Sequence, residues 1–287
     1  MKFKAPFLVL MFLSFYCTYA QDSNIQIYTP SKLMQSDHWD VKWFNNLYTE
    51  TLSINDKKET LSSPRRNFFT SSLDVFTGLN AAAIWNLGVH LEYRSNTIEG
   101  LDLLAPFSFK ERPEQRRGLT RIAPAIKVAP FSNLNNFSIQ SSFSFPLFDE
   151  EVIQGVYLDQ NGYVWQNKAF YDYSSSNGSF QVFSELNLEY NFGEKDASYA
   201  NDSLRLSPGV FVSYFPSQNF TVLALIQHSS LIPINNDFSQ NYSAIGAGLK
   251  YQINQTLNIE GLYTNFIRGN STGLGKTINL GLRAVIN

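Results

Sequence analysis

Residues 83–95 alternate strictly between two kinds of side chain. Trp85, Leu87, Val89, Leu91 and Tyr93 are apolar or aromatic, whereas Asn86, Gly88, His90, Glu92 and Arg94 are small, polar or charged. Successive side chains of a strand point to opposite faces, so the stretch predicts a strand with one greasy and one charged face. A Trp at one end of the greasy face and a Tyr at the other suit a face in hydrocarbon, because aromatic rings settle at the two lipid–water boundaries. The pattern recurs. Phe180, Val182, Leu186, Leu188 and Tyr190 oppose Gln181, Glu185, Asn187 and Glu189; Ile278, Leu280, Leu282, Ala284 and Ile286 oppose Thr277, Asn279, Gly281 and Arg283. Capped helix-period stretches are missing, and bursts of Phe, Tyr, Thr, Val and Ile are broken by Asn, Ser, Gly and Pro. The fold class is all-β, as a single antiparallel transmembrane β-barrel.

Twelve strands can be placed, with ten or fourteen as the alternatives: 38–52, 66–78, 83–95, 118–129, 137–147, 162–173, 179–192, 204–215, 220–231, 241–253, 256–267 and 276–286. The segment 162–173 has the weakest pattern, and 220–231 is apolar on both faces, through Phe220, Val222 and Ile226 on one and Leu223 and Leu225 on the other. Connection length supplies an independent check, because bacterial barrels have an even strand count, short periplasmic turns and long outer loops. The connections 79–82, 130–136, 174–177, 216–219 and 254–255 are short. Those at 53–65, 96–117, 148–161, 193–203, 232–240 and 268–275 are longer and more polar. A tight hairpin at Asn161-Gly162 is a competing reading of the third long loop, since Asn-Gly favours a type I′ turn. The segments around Pro124 (Arg121-Ile-Ala-Pro) and Pro208 (Arg205-Leu-Ser-Pro) echo each other, and proline inside a strand implies a bend or bulge.

Residues 1–20 read as a cleaved signal peptide: Lys2 and Lys4 precede an apolar core at 7–15, and Thr18-Tyr19-Ala20 offers a small-residue cleavage site. Residues 21–37 then form a periplasmic lead-in and 38–287 the outer-membrane barrel. Cleavage removes Cys17, the sole cysteine, and leaves 20 basic against 24 acidic residues, a formal charge of −4. That balance argues against nucleic acid as a partner. Past the signal, no apolar run is long enough for a membrane-spanning helix.

On this register the interior face carries Asp40, Lys42, Asp74, His90, Glu92, Arg94, Arg121, Lys127, Lys168, Asp172, Glu185, Glu189, Lys250, Glu260 and Arg283. A charge in a low-dielectric interior is costly unless paired or hydrated. Seven acids against seven bases, with His90 set aside, therefore predict an ion-pair network around a narrow wet passage. The constriction candidates are His90, Glu92, Arg94, Arg121, Lys127, Glu185, Glu189, Lys250, Glu260 and Arg283. The expected function is passive passage of small polar solutes across the outer membrane. The same residues would also serve a structural or partner-binding barrel with a filled lumen.

A third class is a lipid hydrolase. His228 and Ser230 lie two apart on one strand, hence on one face, where they can seed a nucleophile–base pair; if even positions point outward, they meet the outer leaflet. Leu231-Ile232 follows them, not the Asn-Gly that continues the outer-membrane phospholipase motif. The segment Gly273-Leu-Gly-Lys-Thr277 lacks the first glycine of a phosphate-binding loop, and a strand follows it where a helix would be needed. His38, His90 and His228 are too scattered for metal-ligand spacing, so no metal or cofactor is expected. The Asn-x-Ser/Thr triplets at Asn136, Asn177, Asn201, Asn219, Asn241, Asn254 and Asn270 read as turn chemistry. Lys110, Glu111, Arg112, Glu114, Arg116 and Arg117 crowd the second long loop; outer-membrane lipid is an expected partner, and those cations suit lipopolysaccharide phosphates.

The signal ending Tyr-Ala before Gln, the segment Trp39-Asp-Val-Lys-Trp-Phe-Asn-Asn-Leu-Tyr48 and the ending Gly273-Leu-Gly-Lys-Thr-Ile-Asn-Leu-Gly-Leu-Arg-Ala284 resemble uncharacterised outer-membrane barrel proteins of the Bacteroidota. The resemblance covers nearly the whole chain after the signal and implies an outer-membrane barrel; that group brings no agreed function with it. In strand number the chain is also similar to twelve-stranded pores for nucleosides and acidic oligosaccharides and to twelve-stranded lipid hydrolases, likenesses of architecture alone.

Overall fold

A computed structural model describes residues 30–194 and 198–286. The signal peptide and residues 21–29 of the lead-in fall outside the described residues. Twelve long strands make one antiparallel sheet: β1 (Trp39–Ile54), β2 (Thr60–Gly78), β3 (Trp85–Thr97), β4 (Gln115–Val128), β5 (Phe137–Pro146), β6 (Val164–Ser174), β7 (Phe180–Asn191), β8 (Ser203–Tyr214), β9 (Phe220–Pro233), β10 (Gln240–Gln252), β11 (Leu257–Asn270) and β12 (Lys276–Ile286). Each strand pairs with its sequence neighbours, and β12 returns to β1 with Trp39 opposite Ile286 and Thr49 opposite Lys276. The barrel is closed, so no edge strand faces lipid with unpaired backbone groups. All twelve strands, 162–173 included, lie within a few residues of their expected bounds, apart from an earlier start for β2.

The register puts dry side chains outside. Trp39, Trp43, Trp85, Leu87, Trp165, Leu186, Leu249 and Leu280 are exposed on the outer wall, whereas the inward rows are largely polar and buried. Tyr171, Tyr173, Phe180, Tyr214 and Tyr251 ring the short-turn end on the outside, and Phe145, Tyr163 and Phe192 sit near the long-loop end. These are the two aromatic belts of a membrane barrel.

The connections depart from expectation in three places. The loop expected at 53–65 shrinks to a turn at 55–59: β1 and β2 pair out to Ile54↔Thr60, so cross-strand bonds hold the rest of that segment. The tight hairpin of the third long loop lies at Gln154-Gly155, not Asn161-Gly162. Both central residues have positive φ (51° and 81°), and Val152–Ile153 pairs with Val156–Tyr157. Third, Pro124 and Pro208 face outward with no register shift at either proline; β4 is irregular at Thr120 instead, between Arg121 and Leu119. The β4–β5 ladder lapses at Ala123-Pro124 and the β8–β9 ladder at Ser207-Pro208, because proline has no N–H to give.

Candidate functional site

The interior is narrowed at both ends. At the long-loop end, residues 147–163 fold into the barrel. Asn96 points inward from β3, and its Nδ2 donates to the carbonyls of Tyr157 and Leu158, each at 2.8 Å. These bonds bring Asp159 down between two guanidinium groups: Arg94 at 3.0 Å and Arg121 at 2.7 Å. Glu92 takes a second bond from Arg94 at 2.8 Å. Tyr157 and Tyr199 meet above this cluster with ring centroids 5.9 Å apart. Burial, with Tyr199 and Asp159 alongside, pushes the Tyr157 phenol well above its ordinary range, so it stays protonated.

At the short-turn end, residues 30–36 occupy the mouth. Met34 exchanges two 2.8 Å hydrogen bonds with the Asn86 side chain, Lys127 Nζ donates to the Pro30 carbonyl at 3.1 Å, and Ser31 donates to Asp172. Met34 packs on Val285, and Ser36 bridges to Gly78. A side chain at Gly78 would collide with the carbonyls of Met34 and Gln35, so this glycine lets the segment pass.

Beside and below the inserted loop lies a chain of cavities. One of about 850 Å³ is walled by Tyr157 and Tyr199 and reaches up to Ser53, Ile54 and Thr272 at the long-loop end, and one of about 480 Å³ lies against Arg94, Arg121 and Asp159. Two smaller spaces, about 230 and 120 Å³, both touch Pro30.

All ten constriction candidates face this interior, but they do not form one ring. His90, Glu92, Arg94, Arg121 and Glu189 line the 480 Å³ cavity. His90 Nδ1 lies 2.8 Å from Asp74 and its Nε2 lies 3.1 Å from the Gln140 side-chain amide. Glu189 pairs with Arg205 at 3.5 Å. Glu185, Lys250, Glu260 and Arg283 belong to the lower 230 Å³ space. There Glu260 lies 3.7 Å from Lys42, Glu185 lies 3.8 Å from Lys168, and Arg283 clasps Asp40 at 2.6 Å. Lys127 stands apart, buried between the rings of Phe76 and Phe170 and bound to the lead-in.

The sequence reading missed Asp159, which no strand period could place, and the pair Arg66–Glu50 at 2.5 Å, which sits at the facing ends of the first two expected strands and was left out of the interior set. It also missed an apolar wall. Phe44, Phe183, Phe211, Leu223, Leu225 and Leu262 point inward on β1 and β7–β11, and Tyr242 stacks on Phe266 with centroids 4.4 Å apart. One signal for it was visible: β9 is apolar on both faces because its inner face belongs to this wall. The interior is therefore mixed: the same spaces are lined by paired charges and by aromatic and aliphatic side chains.

His228 and Ser230 face outward, with Nε2 3.0 Å from Ser230 Oγ and Nδ1 2.9 Å from Ser243 Oγ on β10. The trio satisfies its own polar atoms on a lipid-facing wall, where leaving them unbonded would be costly. A hydroxyl stands where a hydrolase would need a carboxylate or amide to orient the histidine. Among the described residues, no cluster of His, Cys, Asp and Glu could hold a metal ion.

No family model and no curated protein matches the sequence. Solved structures do. An outer membrane channel from Pseudomonas putida F1 superposes with a TM-score of 0.70 at 8% identity, over 90% of this chain and 99% of that one. The β domain of the Bordetella autotransporter BrkA superposes at 0.56 with 11% identity, over 86% and 99%. At such identities the likeness speaks to fold: this chain has the architecture of a twelve-stranded outer-membrane barrel.

Proposed function

We propose that the protein is a narrow passive channel for small polar solutes in the bacterial outer membrane, with its long loops outside and both barrel ends of the chain in the periplasm. The observation that carries this reading is the chain of cavities from the long-loop end down to Pro30, lined by paired charges of both signs among apolar side chains. A charge-balanced lumen discriminates little against neutral or zwitterionic solutes and repels neither ion class strongly. The apolar side chains set among them make room for solutes that carry a dry face as well as polar groups. The solved channel it resembles in fold supports the reading.

A structural or partner-binding barrel is the second reading, favoured by the segment 30–36 in the mouth. Planar-bilayer recording on the full chain separates the two. Small, well-defined conductance steps with weak ion selectivity are expected. Silence at every salt concentration and voltage, from protein shown to be folded and inserted, would remove the channel and leave the filled barrel.

A further inference from the structure

The second long loop, unlike the third, folds on the outside of the barrel. Ser95 points outward from β3 and donates to the Pro106 carbonyl at 2.7 Å. Asn67 of β2 donates to the carbonyl of Asp102 at 3.1 Å, and Phe69 meets Phe107 edge to face at 4.7 Å. The loop thus forms a shelf on the outer wall, and it is not dressed for water. Leu104 is 67% exposed, Phe107 47% and Phe109 86%. Contiguous apolar exposure of this kind marks a surface that contacts something other than solvent.

Directly beneath the shelf, a groove of about 400 Å³ runs down the lipid-facing wall between Trp43, Ser71, Leu73, Leu91, Tyr93 and Leu119. Ser71 is the small residue that makes the depression, and Trp43 Nε1 donates to its hydroxyl at 2.8 Å, so the floor is satisfied and dry. Arg117 stands at the head of the groove, two residues along β4 from Leu119 and opposite Ser95. Its guanidinium donates to the carbonyls of Ser108 (2.7 Å) and Phe109 (3.0 Å) and lies 5.3 Å from the Phe109 ring centre. Among the described residues it has no carboxylate within ion-pair distance. A fixed cation above an acyl-wide groove at the level of the outer leaflet is complementary to a phosphate with a chain hanging below it.

We infer that this face is a binding site for the phosphorylated lipid anchor of lipopolysaccharide, one acyl chain lying in the Trp43–Leu119 groove and a phosphate on Arg117. The inference rests on the outer-membrane orientation given above but not on the lumen conducting.

Native mass spectrometry of the detergent-solubilised full chain, titrated in parallel with diphosphorylated lipid A and with phosphatidylglycerol, tests it. Lipid A is expected to bind at least several-fold more tightly than phosphatidylglycerol. Arg117→Gln should erase that preference, and Leu119→Trp, which fills the groove, should weaken lipid A while leaving heat-modifiable folding intact. Equal binding of the two lipids by the parent chain would overturn the inference, as would an unaltered preference in both variants. Channel conductance in Arg117→Gln should match the parent, so a failed channel and a failed lipid site give different results.

Discussion

At the residue scale the most exposed dependence is on Asp159. One carboxylate holds Arg94 and Arg121 at 3.0 and 2.7 Å and is itself almost fully buried. Removing one partner of a buried ion cluster leaves the other charges uncompensated, at a cost of about 3 kcal/mol. Asp159→Ala should therefore lower the unfolding midpoint. It also leaves two cations facing Glu92 alone, so the reversal potential in a salt gradient should move toward anion preference. An unchanged reversal potential would mean that ions do not pass this cluster. The residue shows why part of the site was legible in sequence and part was not. Arg94 and Arg121 sit on strands, where a period of two fixes the face, and both were placed inward from the pattern alone. Asp159 sits in a connection with no period, and its position depends on a carbonyl-to-Asn96 contact between residues more than sixty positions apart.

At the element scale, two adjacent residues of β3 send the two largest loops to opposite sides of the wall. Ser95 faces out and holds the loop 98–114, whereas Asn96 faces in and holds the loop 147–163. The sequence pattern ended this strand at Ser95 and gave Asn96 to the loop, but the strand runs on to Thr97, so alternation puts the two residues on opposite faces; nothing in the loop sequences predicted which loop each would take. The strands themselves were readable, since lipid on one side and water on the other enforce a strict contrast between faces. The contrast weakens along the apolar wall, most of all in β9, where Leu223 and Leu225 face inward behind Val222 and Ile226 outside. Asn96→Ala tests the inward fold. It strips two buried carbonyls, those of Tyr157 and Leu158, of their donor, which costs about 1–3 kcal/mol when such groups stay unsatisfied. The loop 147–163 should become sensitive to protease added from the outside, with barrel strands intact by circular dichroism. Equal resistance to protease would show that Val156 and Leu158, both fully packed, hold the loop without that donor.

At the scale of the whole molecule, the question is what the segment 30–36 does to the chain of cavities that ends on it. It is tied by polar contacts to Asn86, Lys127 and Asp172, and its apolar burial rests on Met34 against Val285. The sheet closes without it, since β1 begins at Trp39 and pairs with β12 from that residue onward. Deleting 30–36 should therefore leave the barrel folded and expose three polar side chains that water can solvate in its place. The smaller cavities that end on Pro30 would then open to the short-turn side. Single-channel conductance should rise severalfold over the full chain, because the narrowest part of a series path sets its resistance. If the full chain and the deletion conduct alike, the segment is not on the ion path and the Asp159 cluster is the limiting constriction. If both are silent while circular dichroism shows an intact barrel, the lumen is a filled core, and its paired charges serve to brace the wall.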